Sequence, residues 1–122
     1  MDQRFTEVPE RAPSRLPVYE GPTIHRTIRV SEKEEDGFRR AYRSGAEPHW
    51  AVLAGGSAGR NIRNEGNVRF VITHRTGRWI GPYSWHPNED EVVLLSGRRF
   101  RSRAFVKSAP DEIEVDLEEL VV

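Results

Sequence analysis

The chain has no cysteine among its 122 residues. Disulfide bridges and thiolate metal sites are therefore excluded, while the redox compartment stays open. It also has no apolar run of about 18 residues, the length that a membrane-spanning helix requires. The first four residues, Met1 to Arg4, do not open a signal-peptide pattern. These absences predict a soluble chain without a membrane partner and without a cleavable signal of its own.

Net charge is missing as well, because 19 basic residues balance 19 acidic ones. Proteins dedicated to nucleic acid or anionic membranes usually carry a net basic domain, so this balance argues against both classes. Charged residues make up 31% of the chain, which is high for a globular protein and predicts that part of it stays outside the packed core. The length suits one domain with a modest core.

Prolines crowd the N-terminal region at Pro9, Pro13 and Pro17, among scattered charges. Proline fixes φ and removes a backbone donor, so residues 1–17 are predicted to form an extended arm or linker. Residues 18–122 are predicted to form a single domain.

The stretch Thr23–Val30 alternates in the manner of a strand, with one anomaly. Arg26 falls between Ile24 and Ile28 on the face of the strand that otherwise carries apolar residues. A guanidinium in that position needs an anionic partner, which is either an internal carboxylate or a phosphate of a ligand. The sequence leaves these two alternatives open.

One helix is predicted, over about residues 31–43. Ser31 and Glu34 form a capping box at its start, and acidic residues follow near the positive end of the helix dipole. Phe38 and Tyr42 are spaced i, i+4 and share a face, and Gly45 ends the helix.

The rest of the chain is predicted to be almost entirely β, which makes the fold class α+β. Arg78–Ile80 is expected to form a hairpin with the preceding strand. The small residues at 55–59 either allow a backbone to approach closely or form a flexible turn. The predicted strands span 49–54, 68–73, 78–80, 92–95, 99–106 and 112–117.

Two glutamates, Glu89 and Glu91, stand at the mouth of an apolar strand, directly after a Pro-Asn break. Their spacing puts them on one face of a strand, with Asp90 on the other. The strand body, residues 92–95, is apolar on both faces and should be buried on both sides. Acids at such a position either form a solvated strand start or face a ligand.

The order of these parts resembles the mono-ADP-ribosyltransferase family, and more narrowly its toxin domains of the Arg–Ser–Glu type. The most similar portion is residues 68–106: a strand, a turn Thr76-Gly77 followed by Ile80, Ser84 before Pro87, then E-x-E-V-V-L-L and G-x-x-F. The resemblance implies a mixed, mostly antiparallel β core in a split two-sheet arrangement, with one or two short helices.

Residue by residue, the resemblance implies NAD as co-substrate and four site residues. Glu91 matches the catalytic glutamate, which holds the nicotinamide ribose, and Glu89 the upstream glutamate, which activates an acceptor arginine. Arg26 matches the arginine that engages the NAD phosphates, and Ser57 the serine that supports the catalytic glutamate. The family's Ser-Thr-Ser run is reduced here to Gly56-Ser57-Ala58, which keeps one hydroxyl.

The resemblance further implies a bacterial effector or toxin domain, secreted or injected, that acts in the cytoplasm of a target cell. Its partners would be NAD, a target macromolecule and, in the producing cell, an immunity protein. Two alternatives remain open: a transferase fold that has lost activity and serves as a binding module, and a small RNA-binding or RNA-cleaving toxin domain. The second would use Trp50, Trp79, Trp85 and the arginines of 98–103. The four histidines lack metal-ligand spacing, so no metal site is predicted.

Overall fold

The structure is a computed structural model that describes residues 16–50, 54–57, 66–80, 91–94 and 96–121. One helix and eight strands form there, and the predicted α+β class is confirmed. In chain order they are β1 (Thr23–Ile28), α1 (Glu35–Tyr42), β2 (His49–Trp50), β3 (Ala54–Ser57), β4 (Val68–Thr73), β5 (Arg78–Trp79), β6 (Glu91–Leu94), β7 (Arg98–Ala109) and β8 (Glu112–Glu119).

The strands form a curled mixed sheet in the order β2-β7-β8-β4-β1-β3-β6-β5, with the β2–β7 pair as a small second sheet. Among the described strands only β4 and β8 run parallel, and every other pair is antiparallel. The split, mostly antiparallel arrangement expected from the sequence is therefore confirmed. Strand β1 lies in the middle, between the long strand β4 and the short strand β3.

Apolar side chains of the central strands build one core. Alternate residues of β4 and β8 point inward, as their period-two patterns predict. Partly buried aromatic residues from α1, β2 and β7 pack against this core, with Phe70 at their centre. The body of β6 is buried on both faces, as expected. Its described core side chains are Val92, Val93 and Leu94.

The helix is shorter than the sequence predicted. Ser31 and Glu34 do interact, because the Ser31 hydroxyl donates to Glu34 Oε1 at 2.8 Å, but the helix begins only at Glu35. Residues 32–34 form a turn instead. Because the helix has no fully buried residue, it is held by the half-buried pair Phe38 and Tyr42, whose rings lie 4.7 Å apart.

Two predictions about strands were wrong. The two described ends of the segment 49–54 belong to different strands: His49–Trp50 pairs with β7, whereas Ala54 starts β3, which pairs with β1 and β6. The flexible-turn alternative for residues 55–59 also fails where it can be checked, since residues 55–57 belong to β3. Likewise β5 forms no hairpin with β4, because Arg78 and Trp79 pair with Val93 and Val92 of β6.

The turn after β4 explains why the hairpin does not form. The Gly77 amide donates to His74 Nδ1 at 3.0 Å, and the buried carboxylate of Glu119 accepts from the amides of Arg75 and Thr76 at 2.7 and 3.1 Å. These bonds fix the turn in a shape that leads β5 away from β4. Sequence patterns of one segment do not show a partner 44 residues away.

The last residues of the predicted N-terminal arm lie against β5. The amide of Trp79 donates to the Pro17 carbonyl at 3.2 Å, and the Arg78 guanidinium donates to the Leu16 carbonyl at 3.1 Å. Val18 forms an antiparallel bridge with Arg78. Residues 1–15, the rest of that arm, lie outside the described residues. None of the described helices is long and apolar enough to cross a membrane.

Candidate active site

Backbone pairing brings three of the four predicted site residues together. Ser57 of β3 is the register partner of His25 on one side and of Glu91 on the other. Arg26 directly follows His25 on β1. The backbones of Arg26, Ser57 and Glu91 therefore lie on three strands, with Arg26 one residue away from the row of paired residues His25, Ser57 and Glu91. The side chains of Ser57 and Glu91, and the whole of Glu89, lie outside the described part of the structure.

Arg26 lies on the inner face of β1, opposite Phe70 of β4. Its Nη1 donates to the Gly55 carbonyl at 2.7 Å, and its guanidinium carbon lies 6.0 Å from the centre of the Trp50 ring. Among the described residues, β1 and β3 pair at one position, His25 with Ser57. The Arg26 side chain reaches β3 two residues before that position, at Gly55.

The Arg26 charge has no carboxylate neighbour in the described residues, where no acid lies within 4.0 Å of the guanidinium. Burial lowers the pKa of Arg26 from its ordinary value, and nearby Tyr42 partly offsets this. A guanidinium nevertheless stays protonated in proteins, so the site holds a half-buried cation. Of the two alternatives that the sequence left open, an internal carboxylate is not found among the described side chains, which do not include that of Glu91, and their arrangement suits an external anion.

Glycine at position 56 allows β3 to approach β1 closely. A Cβ atom there would come within 3.0 Å of the His25 carbonyl oxygen, a tighter distance than side chains normally accept. The close-approach alternative for the small residues at 55–59 therefore holds at Gly56. This contact lies one residue before Ser57 and directly across from Val92, the residue after Glu91.

Two aromatic residues beside Arg26 were not among the predicted site residues. Trp50 Nε1 donates to the Tyr42 hydroxyl at 2.8 Å, and the Trp50 ring faces Arg26. The sequence contained a signal for Tyr42 only as a helix-packing residue, spaced i, i+4 from Phe38. Nothing in one sequence links a helix residue to a tryptophan eight positions later and to an arginine on an earlier strand.

The arginines of β7 do not form the open basic surface that the RNA-binding alternative needs. Arg101 lies 3.5 Å from Glu47, and Arg103 lies 3.1 Å from Asp116. Trp50 packs into the core against Phe70 and Phe100 instead of standing free for base stacking. Acidic neighbours thus neutralise much of this surface, and the RNA alternative is not favoured.

The described residues contain no group of three or more His, Asp or Glu side chains that could hold a metal ion. A cavity of about 210 Å³ lies near the start of β4 and of β8, lined by residues that include Asn67, Arg69 and Glu114. None of the candidate site residues lines it. We therefore assign no role in the candidate site to this cavity.

No protein-family model matches the sequence, and no curated protein sequence does either. Solved structures do match. The type III effector XopAI of Xanthomonas axonopodis pv. citri aligns over 94% of this chain, with a TM-score of 0.72 and 19% identity. The ADP-ribosyltransferase HopU1 of Pseudomonas syringae pv. tomato aligns over 84%, with a TM-score of 0.73 and 16% identity.

Exoenzyme S of Pseudomonas aeruginosa, solved with a human 14-3-3 protein and carba-NAD, aligns over 89% of the chain with a TM-score of 0.71 and 14% identity. The chain spans 48% of XopAI, 46% of HopU1 and 54% of exoenzyme S. At these identities the similarity establishes the fold. The domain has the fold of bacterial ADP-ribosyltransferase effectors and toxins.

Proposed function

We propose that this domain is an NAD-dependent mono-ADP-ribosyltransferase of the effector or toxin type. It transfers ADP-ribose to a target macromolecule and releases nicotinamide. The observation that carries the proposal is the half-buried charge of Arg26, which has no carboxylate within 4.0 Å among the described residues and stands one residue from the His25–Ser57–Glu91 row. In a domain of this fold, that charge is suited to the diphosphate of NAD.

Arg26 supplies binding and orientation. A guanidinium matches two phosphate oxygens in a planar fork, and such charge-assisted hydrogen bonds are stronger than neutral ones. Partial burial strengthens the attraction further, because fewer water molecules compete for the charge. The Gly55 carbonyl occupies one donor, and a guanidinium has five, which leaves others for a ligand.

Glu91 supplies the carboxylate at the reacting sugar. The bond between nicotinamide and the ribose carbon breaks with its electron pair leaving on nicotinamide, and a new bond forms from that carbon to the acceptor, which loses a proton. The transition state resembles an oxocarbenium ion, which a nearby carboxylate stabilises as in glycoside hydrolysis. Ser57, whose backbone pairs with Glu91, supports this carboxylate, and Glu89 activates the acceptor, for which arginine is our candidate.

The neighbouring structures support further parts of the proposal. Carba-NAD bound to exoenzyme S supports NAD as co-substrate, and its 14-3-3 partner makes a protein a reasonable class of binding partner. XopAI is a type III effector, which supports delivery into a target cell and action in its cytoplasm. A producing bacterium would then need an immunity protein that blocks the NAD site.

The first test follows nicotinamide release from NAD. We expect Glu91→Gln to lower the rate by at least about a hundredfold while the circular dichroism spectrum stays that of the parent. Glu114→Gln, on the exposed side of β8, is the matched control and should keep parental activity. A parent that binds NAD without releasing nicotinamide would identify the inactive binding module. Activity of Glu91→Gln within about tenfold of the parent would refute the role of Glu91.

The second test separates the two glutamates. With adenylate-labelled NAD and a small guanidino compound as acceptor, Glu89→Gln should lose transfer yet continue to release nicotinamide to water. Transfer that survives this change would show that the acceptor is not an arginine activated by Glu89. Mass spectrometry of a treated target-cell lysate would then locate the modified residue. RNA cleavage without NAD would support the rival toxin class.

A further inference from the structure

The Arg26 guanidinium is held by an aromatic pair and a backbone carbonyl. Tyr42 lies on α1, Trp50 on β2 and Arg26 on β1, so three separate elements meet at one point. We propose that Tyr42 and Trp50 are positioning residues that hold Arg26 in place for an anionic ligand, which under the proposed function is the diphosphate of NAD.

The contacts form a chain from the helix to the cation. Trp50 Nε1 donates to the Tyr42 hydroxyl at 2.8 Å, which fixes the direction of the indole ring. The face of that ring lies 6.0 Å from the guanidinium carbon of Arg26, within the range of a cation–π interaction. On the other side, Arg26 Nη1 donates to the Gly55 carbonyl at 2.7 Å.

Core packing makes this pair rigid. The Trp50 ring lies 5.3 Å from the Phe70 ring, at nearly a right angle, and 4.7 Å from the Phe100 ring. The Tyr42 ring lies 5.2 Å from Phe70. Because the Phe70 and Phe100 side chains are fully buried, neither Trp50 nor Tyr42 has space to turn without disturbing the core. The orientation of the guanidinium is thereby tied to the buried aromatic core.

The chemistry of the support suits a ligand-binding arginine. A carboxylate partner would hold Arg26 as firmly, but it would also neutralise the charge and compete with a phosphate. An aromatic face and a carbonyl oxygen orient the guanidinium without cancelling its charge. Tyr42 and Trp50 therefore act through Arg26, and their removal should weaken the binding of NAD more than the chemical step.

The test is a double-mutant cycle measured by isothermal titration calorimetry with NAD. We expect Tyr42→Phe to raise the Kd for NAD about fivefold, the effect of losing one hydrogen bond. Trp50→Phe should raise it by at least as much, because it removes the N–H donor and leaves a smaller ring that attracts a cation less strongly than indole does. In these variants, which retain Glu89 and Glu91, kcat should stay within about twofold of the parent value. Tyr19→Phe and the half-exposed Trp79→Phe are the matched controls and should leave the Kd unchanged.

The decisive comparison uses Arg26→Lys, which itself should weaken binding. If Tyr42 acts through Arg26, then adding Tyr42→Phe to Arg26→Lys should change the Kd no further. A merely structural tyrosine would lower the melting temperature and weaken binding equally in both backgrounds, and that result would overturn the proposal.

A second readout needs no NAD and separates this inference from the proposed function. In the parent, restricted rotation of the guanidinium should keep the NMR resonances of the Arg26 side-chain nitrogens resolved. In Tyr42→Phe and Trp50→Phe, faster rotation should merge these resonances into an average. If a parent that does not bind NAD still shows this pattern, the proposed function fails and the support of Arg26 stands. Equal averaging in parent and variants refutes the support, whatever NAD does.

Discussion

The two sides of the sheet around β1 are built differently. On the side of β4, β8 and β7, β1 pairs with β4 at six positions, β4 with β8 at six, and β7 with β8 at eight. On the other side, counting described residues alone, β1 pairs with β3 at one position, β3 with β6 at four, and β5 with β6 at two. The first side has long registers with inward-facing apolar residues, whereas the described strands of the second side are short, and one of them, β3, contains two glycines.

We expect this difference to separate the residues that stabilise the domain from those of the proposed site. Long paired strands with a shared apolar face resist local opening, whereas short strands with few contacts lie at the low-stability end of a fold. The candidate site lies along the boundary, with Arg26 on the last long strand and Ser57 and Glu91 on the first two short ones. Arg26 thus lies on the side with the longer strand pairing, and Ser57 and Glu91 lie on the side with the shorter pairing.

The largest expected effect is a loss of unfolding free energy when a core side chain is shortened on the long-stranded side, which comprises β1, β4, β7 and β8. Phe70→Ala on β4 should lower the free energy of unfolding by about 3–5 kcal/mol, because it leaves a cavity among the rings of Phe38, Tyr42 and Trp50. Trp79→Ala on β5, where the indole is 41% exposed, should cost less than about 1 kcal/mol. Urea denaturation followed by fluorescence measures both.

Phe70→Leu covers the case in which Phe70→Ala does not fold. It retains an apolar side chain of similar size and should cost about 1.5 kcal/mol or somewhat more. Equal losses for the Phe70 and Trp79 variants would contradict the division, since the short-stranded side would then carry as much of the stability as the long-stranded one.

An intermediate effect is expected at the link between the two sides. The buried carboxylate of Glu119, at the end of β8, accepts hydrogen bonds from the Arg75 and Thr76 amides and from the Thr76 hydroxyl, the last at 2.5 Å. Glu119→Gln turns one acceptor oxygen into a donor facing these groups. We expect a loss of about 1–3 kcal/mol of unfolding free energy.

Amide hydrogen exchange shows whether this loss reaches the short-stranded side. Exchange at Thr76 and Gly77 should become faster in Glu119→Gln, while exchange in the middle of β8 changes little. Glu118→Gln, the neighbouring residue with a half-exposed side chain, is the control and should resemble the parent in both measurements. Uniformly faster exchange over β8 and β4 would mean that Glu119 stabilises the whole sheet and does not act as a link.

The sequence predicted the long-stranded side better than the short-stranded one. The predicted strand 68–73 has the same first and last residues as β4. Its alternating pattern was a reliable guide because alternate residues of β4 are buried against the core. The sequence also singled out Arg26, since a cation on the otherwise apolar face of a strand contradicts the local pattern. Such a contradiction is visible without knowledge of the fold.

Strand partners and supporting residues could not be predicted, because they depend on contacts between distant segments. Arg78 and Trp79 were expected to pair with the preceding strand, yet the bonds of His74 and Glu119 turn the chain toward β6. The Tyr42–Trp50 contact likewise joins a helix to a two-residue strand that has no recognisable pattern of its own. The roles assigned to Glu89, Glu91 and Ser57 remain predictions from a resemblance.

The smallest expected effect is a change in melting temperature when the ion pair between α1 and β7, on the long-stranded side, is removed. Lys107 Nζ donates to both carboxylate oxygens of Glu35 at 2.9 and 2.8 Å, and this bond, with a smaller effect of Arg39, lowers the pKa of Glu35. A carboxyl whose pKa is lower in the folded state adds stability above its unfolded pKa, about 4.3, and loses it as pH falls through the folded value. Lys107→Met should therefore lower the melting temperature slightly at pH 7, and this difference should disappear as pH falls through the folded pKa of Glu35. Lys33→Met removes the other lysine of the chain as a control. A deficit that persists in acid would mean that the aliphatic stem of Lys107, and not its charge, holds the helix that supplies Tyr42.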